Sequence, residues 1–446
     1  MPQQCIMILL DGLGDRAYAR FGHRTPLDAA ATPHLDHLAA LGANGLYHAA
    51  SFGLALPSEN AHFSLFGYDL DDFPGRGALE ALGADVPLEP GDVAVLAHLC
   101  HVVDDNGALR CAKDVLRATP DEARQLAEAV AAFETDGVAV RFHTTKGLFG
   151  VLVLRGDALG GGIAPHVTDS NPMTDGRLLS DIVPRADHAH DPACRRTARV
   201  LRRYLRWAFA RLADHPVNAA RAAQGAPPAT GLVTQRAGQL RAATPFAARY
   251  GMGGLSIASG VLFRGLARYL GMDSLAVADS DDPGRDLAER IALAHARLPD
   301  YGFIHVHTKA PDQAAHTKSP EAKRDVIARL DAALGKAVPP LLDDPDVLLV
   351  VTSDHSTPSG GRLVHSGEPV PLLFVGRGVR RDGVTRFGEV AAAGGALGCL
   401  RGRECMDMIL NHLDRSRLQG IHDTPQVRDY WPGDYAPLRL ADPEDA

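Results

Sequence analysis

Apolar residues fall into two kinds of run along this chain. Short continuous runs end on acidic residues or histidine. "CIMILL" (5–10) leads straight into Asp11, and "VLLVV" (347–351) leads into "TSDHST". Runs with no polar alternation suit central strands of a parallel sheet covered on both faces. Between them lie helical patterns with start signals. Thr32 and Pro33 open "TPHLDHLAALGA", with Thr32 as cap and Pro33 at the first helical position, and Ser319 and Pro320 open "SPEAKRDVIARLDAALGKAV" in the same way. Strands alternating with helices predict an α/β layered domain.

The middle of the chain follows a different pattern. Its strand candidates, "VAVLAHLCHVVD" and "GLFGVLVLRG", are longer, and they accompany one amphipathic helix, "PDEARQLAEAVAAF", and one arginine-rich helix, "CRRTARVLRRYLRWAFARLADH". This predicts an inserted, smaller α+β domain over 91–238. Residues 1–90 and 239–446 then form a discontinuous first domain, and "QGAPPATG" serves as the return linker, because its Gly and Pro interrupt regular structure. Arg195, Arg196, Arg199, Arg202, Arg203 and Arg206 read as a solvated helix face rather than an anion site. The chain carries no internal repeat.

Composition narrows the function classes. With 446 residues, 46% of them hydrophobic, the chain can bury a large core, and its length fits two domains or one with a large insertion. A formal charge of -8 argues against nucleic acid or an anionic membrane as partner. The six cysteines include no CxxC pair, so neither a disulfide framework nor a cysteine zinc site is expected, and a reduced, cytoplasmic setting fits. The apolar run after Gln4 is too short for a signal peptide or a membrane span, and no other segment approaches spanning length.

Four separated motifs then supply ligand chemistry. Asp11 stands in "LLDGLGD", at an expected strand end, and Ser58 stands in "PSENAH". Asp312 and His316 stand four apart in "KAPDQAAH", so one helical turn puts both on one face. Asp354, His355 and His365 stand in "SDHSTPSGGRLVHSGEPVP". Three carboxylates, three imidazoles and a hydroxyl suit zinc or manganese, since imidazole favours borderline metals and carboxylate harder ones. The co-occurrence points to a two-metal hydrolase or phosphotransferase. His305 and His307, alternating in "FIHVHTK", read instead as core or surface residues.

The ordered set "DGLGDR", "TPLDAAATPHLDHLAALGANG", "PSENAHFSLFGYD", "GRGALEALGADVPLEPGDVA", "KAPDQAAH", "SDHSTP", "HSGEPVP" and "GLGCLRGRE" resembles the cofactor-independent phosphoglycerate mutases, in their archaeal-type branch of the alkaline phosphatase superfamily. The resemblance implies an α/β, alkaline-phosphatase-like three-layer core with a mostly parallel sheet, carrying the inserted α+β domain. It implies two divalent metal ions, manganese or zinc with cobalt possible, and no organic cofactor. Asp312, His316 and His365 would hold one ion, and Asp11, Ser58, Asp354 and His355 the other. Ser58 matches the family's phosphorylated nucleophile, and Lys309 a lysine just ahead of the metal-binding aspartate. The implied substrate is small and phosphorylated, and the implied reaction is interconversion of 2- and 3-phosphoglycerate through a phosphoserine.

The insertion departs from that pattern. Leu148-Phe149 stands where the family has His-Arg, Asn171-Pro172-Met173 where it has Asp-Pro-His, and Arg110-Cys111 where it has paired arginines. Arg76, Arg110, Asp169, Arg177 and Arg236 remain as candidate substrate contacts. Leu and Phe cannot replace the bidentate anion recognition of arginine. Three readings therefore stay open: a phosphoglycerate mutase, a family hydrolase or mutase acting on another phosphate or phosphonate ester, and a non-catalytic metal-binding homologue. The intact serine and ligand set argue against the third.

Overall fold

The computed structural model describes residues 1–156, 162–416 and 440. Its strands, in chain order, are β1 (Gln4–Leu10), β2 (Ala43–His48), β3 (Val93–Asp105), β4 (Ala108–Lys113), β5 (Ala132–Thr135), β6 (Val138–Lys146), β7 (Phe149–Gly156), β8 (Arg177–Leu178), β9 (Gly231–Gln239), β10 (Gly254–Ala258), β11 (Asp273–Ala276), β12 (Phe303–Thr308), β13 (Val347–Thr352), β14 (Val370–Val375) and β15 (Gly398–Arg401). The chain gathers into two compact units. Met1–Gly67, Thr244–Ile257 and Asp279–Ala446 form the first; Tyr68–Ala243 and Ala258–Ala278 form the second.

In the first unit the sheet runs β10-β12-β1-β13-β14-β2-β15. β1 pairs in parallel with β12 on one side and β13 on the other, and β10 extends the parallel set beyond β12. β14 is antiparallel to both neighbours, and β15 runs parallel to β2. Every residue of β12 and β13 is buried, as is all of β1 after Gln4, which is why these runs show no polar alternation. The helix Pro320–Ala337 packs against Pro283–Arg297 and Ala310–His316.

Ser319 caps Pro320–Ala337 as expected, its hydroxyl accepting from Ala322 N at 3.2 Å. Thr32 does not act in this way. It occupies the cap position of Pro33–Leu41, but its side chain makes no capping bond. The carboxylate of Asp331 instead accepts from Leu35 N (2.7 Å) and His34 N (3.3 Å), so a neighbouring helix satisfies the free amides. That substitution depends on tertiary packing, which the local sequence does not reveal.

The second unit is built on an antiparallel sheet, β5-β6-β7-β3-β4-β8, with β9 also pairing β3. Pro120–Ala129 carries a full capping box from Thr119 and Glu122. Pro192–Ala213 buries Val200, Leu201, Tyr204 and Leu205 in one core with Val140, Leu152 and Leu154. Arg199 and Arg203 face outward to pair with Asp136, and Arg202 with Asp181. Arg196, read from the sequence as part of the same solvated face, is instead buried and donates to Asp136 O. Residues 68–90 belong to this unit through the helix Arg76–Gly83, which packs on β3 and β9, and residues 258–278 through Val261–Tyr269, which crosses that helix tightly. A Cβ on Gly83 would lie 1.9 Å from Val261 O, and one on Gly265 would lie 1.8 Å from Leu79 O, so only glycine permits the approach.

All six cysteines are free. Among the described residues no helix is long and apolar enough to cross a membrane.

Candidate metal centre and nucleophile

The centre lies within the first unit, at the ends of its parallel strands, where loops after adjacent strands converge. Asp11 follows β1. Lys309 and the helix Ala310–His316 follow β12, placing Asp312 and His316 on one helical face. Asp354 and His355 follow β13. Ser58 opens the helix Ser58–Leu65, with Pro57 at the cap position. The N-terminal end of a helix favours negative charge near it.

Two donor clusters result. In the first, one donor atom each from Asp312, His316 and His365 lies within 4.8 Å of the others; in the second, the same holds for Asp11, Asp354 and His355. Asp312 Oδ2 is 3.2 Å from His316 Nε2, and Asp312 Oδ1 is 3.5 Å from His365 Nε2. His355 Nε2 is 3.1 Å from Asp354 Oδ2, 3.6 Å from Asp11 Oδ1 and 2.9 Å from Ser58 Oγ. Two ligand atoms each about 2.1 Å from one ion lie roughly 3 to 3.5 Å apart at octahedral to tetrahedral angles. The donor set therefore fits a divalent ion in each cluster. A buried oxygen supports the fit: Asp11 Oδ1 is enclosed and accepts no hydrogen bond, while Asp312 Oδ2 and Asp354 Oδ2 are enclosed among histidine and lysine nitrogens. The clusters differ in exposure. Asp11, Asp354 and His355 are all buried, whereas His316 is exposed and His365 half-buried.

The electrostatics favour ionised carboxylates. Burial alone would raise the Asp312 carboxyl, but bonds from His316 and His365 and the charge of Lys309 hold it well below the usual range. For Asp354 burial again opposes ionisation and is outweighed by His355 and His62. Lys309 Nζ lies 3.0 Å from Asp312 Oδ2, 3.4 Å from Asp11 Oδ2 and 3.2 Å from Ser58 Oγ. Burial would lower its pKa, but Asp11, Asp312 and Asp354 raise it, so Lys309 remains an ammonium. As an ammonium it donates hydrogen bonds and accepts none.

His62 is not singled out by sequence reasoning, and His307 is read there only as a core or surface residue. His62, one helical turn after Ser58, has Nδ1 2.8 Å from Ser58 O and 3.2 Å from Asp354 Oδ2. His307 is fully buried, with Nε2 2.9 Å from Asp11 Oδ2. Contact with a ligand carboxylate thus gives it a role that "core or surface" did not anticipate. One donor each from Asp11, His62 and His307 also falls within 4.8 Å. Both histidines hold carboxylates that already belong to the second cluster, the outer-shell arrangement expected around metal ligands. The i, i+4 spacing of Ser58 and His62 was a readable signal. For His307 the signal was its place two residues before Lys309 at a strand end. In the second unit His188, Asp191 and Cys194 also cluster, where Asp191 caps the arginine-rich helix and accepts from Ala193 N and Cys194 Sγ.

The candidate substrate contacts all lie in the second unit. Arg76 pairs with Glu80 at 2.7 Å, one turn along its helix. Arg110 pairs with Asp105 and donates to Gly176 O. Asp169 Oδ1 accepts from Arg236 N at 2.7 Å, at a left-handed backbone position with φ 55°. Arg177 is exposed on β8 beside Cys111. Leu148 is buried in the unit's core, Phe149 lies against the ring of His98, and Met173 is 63% exposed.

Comparison with known proteins fits this geometry. A family model described as 2,3-bisphosphoglycerate-independent phosphoglycerate mutase matches residues 39–218. The chain is 37% identical to 2,3-bisphosphoglycerate-independent phosphoglycerate mutase 2 of Methanocaldococcus jannaschii, over 97% of this chain and 98% of that one. It is 36% identical to the corresponding protein of Methanopyrus kandleri, over 93% and 97%. Among solved structures, the cofactor-independent phosphoglycerate mutase from Thermoplasma acidophilum superposes with a TM-score of 0.64 at 30% identity, covering 92% of this chain and 100% of that one.

Proposed function

The chain belongs to the family of 2,3-bisphosphoglycerate-independent phosphoglycerate mutases and is an enzyme of the isomerase class. On that premise we propose that it interconverts 2- and 3-phosphoglycerate through a phosphoserine at Ser58. The observation that carries this reading is the placement of Ser58 Oγ, 2.9 Å from His355 Nε2 and 3.2 Å from Lys309 Nζ.

In the first half-reaction Ser58 Oγ gives up its proton and forms a bond to phosphorus, that proton being in net terms the one the departing oxygen gains; the second half runs the same exchange in reverse. The bond from phosphorus to the substrate's ester oxygen breaks, its electron pair passing to the departing oxygen, which takes up a proton to leave glycerate. In the second half the other hydroxyl of glycerate attacks the phosphoserine and Ser58 Oγ departs. Lys309, held as an ammonium, balances the charge on Oγ when it leaves and on the phosphoryl group in transit. Asp312, His316 and His365 would hold one divalent ion, and Asp11, Ser58, Asp354 and His355 a second, with manganese, zinc or cobalt suited to such mixed donors. Bound ions supply a lowered proton affinity for the serine hydroxyl and neutralisation of phosphate charge.

A second reading keeps the same serine and ligands but acts on another phosphate or phosphonate ester. Leu148, Phe149 and Met173 favour it, because none of the three can recognise an anion.

The test is incubation of metal-loaded protein with 3-phosphoglycerate while following 2-phosphoglycerate and free phosphate together. The expected result is isomer without phosphate. Phosphate alone would replace the mutase with a hydrolase, and neither product would transfer the chemistry to another ester.

A further inference from the structure

Between the two donor clusters stands a hydroxyl with no role so far. Thr357 is fully buried. Its Oγ1 is 2.8 Å from Asp312 Oδ1 and 3.1 Å from His355 Nδ1. An ionised carboxylate can only accept, so the Thr357 hydroxyl donates its one proton to Asp312. Toward His355 it must then accept, which requires the ring proton to sit on Nδ1. That in turn leaves the lone pair on Nε2, the atom that faces Ser58 Oγ, Asp354 and Asp11.

The backbone of Thr357 is fixed from two sides. Its N–H donates to Gly14 O at 2.9 Å, and its carbonyl accepts from the fully buried Lys323 Nζ at 2.8 Å. The same ammonium reaches Gly14 O at 2.8 Å and Asp15 Oδ2 at 3.2 Å, so one cation ties the loop after β1 to the loop after β13. Gly12 makes room for the hydroxyl: a Cβ there would lie 2.6 Å from Thr357 Oγ1 and 2.8 Å from Asp312 Cβ.

We propose that Thr357 is a positioning residue that couples the two clusters, its single hydroxyl orienting Asp312 and selecting the Nδ1–H tautomer of His355 together. The inference rests on the reading that both clusters bind ions. Removing the hydroxyl therefore weakens both ions, whereas an outer-shell group serving one ligand weakens one.

The test uses metal-free full-length protein titrated with cobalt(II) in the absence of substrate. Binding is read from the absorption bands and from competition with a chelator, for the wild type, Thr357→Val and Thr357→Ser. The wild type binds two ions. The valine variant holds both about 10- to 100-fold more weakly, and serine, which keeps the hydroxyl, restores wild-type affinity and spectrum. Thr357→Ala removes the hydroxyl without placing a methyl against Asp312, and it gives the same readings if the valine protein does not fold. Wild-type affinity for both ions in the valine or alanine variant, or weakening of only one, overturns the coupling. Fewer than two ions in the wild type instead overturns the two-ion reading beneath it.

Discussion

The two units use charge in opposite ways. In the first, Asp11, Asp312, Asp354, His62, His307 and Lys323 are buried around a few strand ends, and each is held by groups up to about three hundred residues away in sequence. In the second, the arginine-rich helix turns most of its charges outward, Arg196 excepted. Arg199, Arg202 and Arg203 meet Asp136 and Asp181 at the surface, and Arg110 and Arg76 bind neighbours on their own strand pair or helix. A buried charge is costly unless it is fully partnered, so selection tolerates it where chemistry requires it. A surface pair costs little and contributes little. The dense cluster of buried charge thus marks the candidate site, whereas isolated buried charges are structural, Asp331 at a helix start and Arg221 of the second unit paired with Glu122 among them.

The strongest challenge to that contrast is Ser58→Ala. It removes the proposed nucleophile, and turnover should fall by a factor of about 10⁴ or more, with bound metal still measurable; a surviving rate would put the nucleophile elsewhere. Lys309→Met comes next. Loss of one charged donor at the reacting centre should lower kcat by about 10²- to 10³-fold, with metal content unchanged.

Third is a buried charge in the first unit away from the ligands. Glu389 Oε2 accepts from Thr25 Oγ1 at 2.9 Å and Oε1 from Asp15 N at 3.2 Å, with Asp28 and Lys323 also facing it. Burial pushes its carboxyl up to about 7. A carboxyl whose folded-state pKa is raised stabilises the fold below its unfolded pKa of about 4.5 and loses that contribution as pH rises toward 7. The shift amounts to about 3 kcal/mol. Urea unfolding of metal-free wild type and Glu389→Gln at pH 4.5 and pH 7.5 checks this. The stability difference between the two proteins should change by about that amount across the window, since histidines such as His305 and His307 that titrate in it are common to both. At the small end, Arg203→Ala in the second unit should cost less than about 1 kcal/mol, with the difference shrinking in high salt. A larger, salt-independent loss would remove the contrast between the units.

Much of the first unit was legible in sequence because its signals are local. Uninterrupted apolar runs announce buried parallel strands, and Asp312 and His316 announce a shared helical face through spacing alone. What escaped was set by partners distant in the chain. His307 read as an ordinary strand histidine because nothing nearby shows that β1 will lie alongside and bring Asp11 within 2.9 Å. Thr357 and Lys323 sit in plain sight, but both bond to Gly14 O, more than three hundred residues earlier in the chain, and the Thr357 hydroxyl reaches Asp312 on a different element. Thr32 failed as a cap for the same reason, since Asp331 supplies the acceptor from another helix. In the second unit Arg76, Arg110, Arg177 and Arg236 could be named as arginines, but residue type does not distinguish a ligand contact from a surface pair.

The central position of β1 has a consequence for biosynthesis. Both of its partners, β12 and β13, begin about three hundred residues after it ends. At roughly 5–20 residues per second, on the order of 15 to 60 seconds separate translation of β1 from translation of β12. Throughout that interval six successive apolar side chains, Cys5 to Leu10, have no strand beside them. The emerging chain must be shielded for that time, and Asp11 meets His307, Asp354 and His355 only when the far strands arrive. Assembly of the active centre is thus among the last events in making this protein, and a ribosome that stalls before Phe303 releases a chain with an aggregation-prone strand and no chemistry.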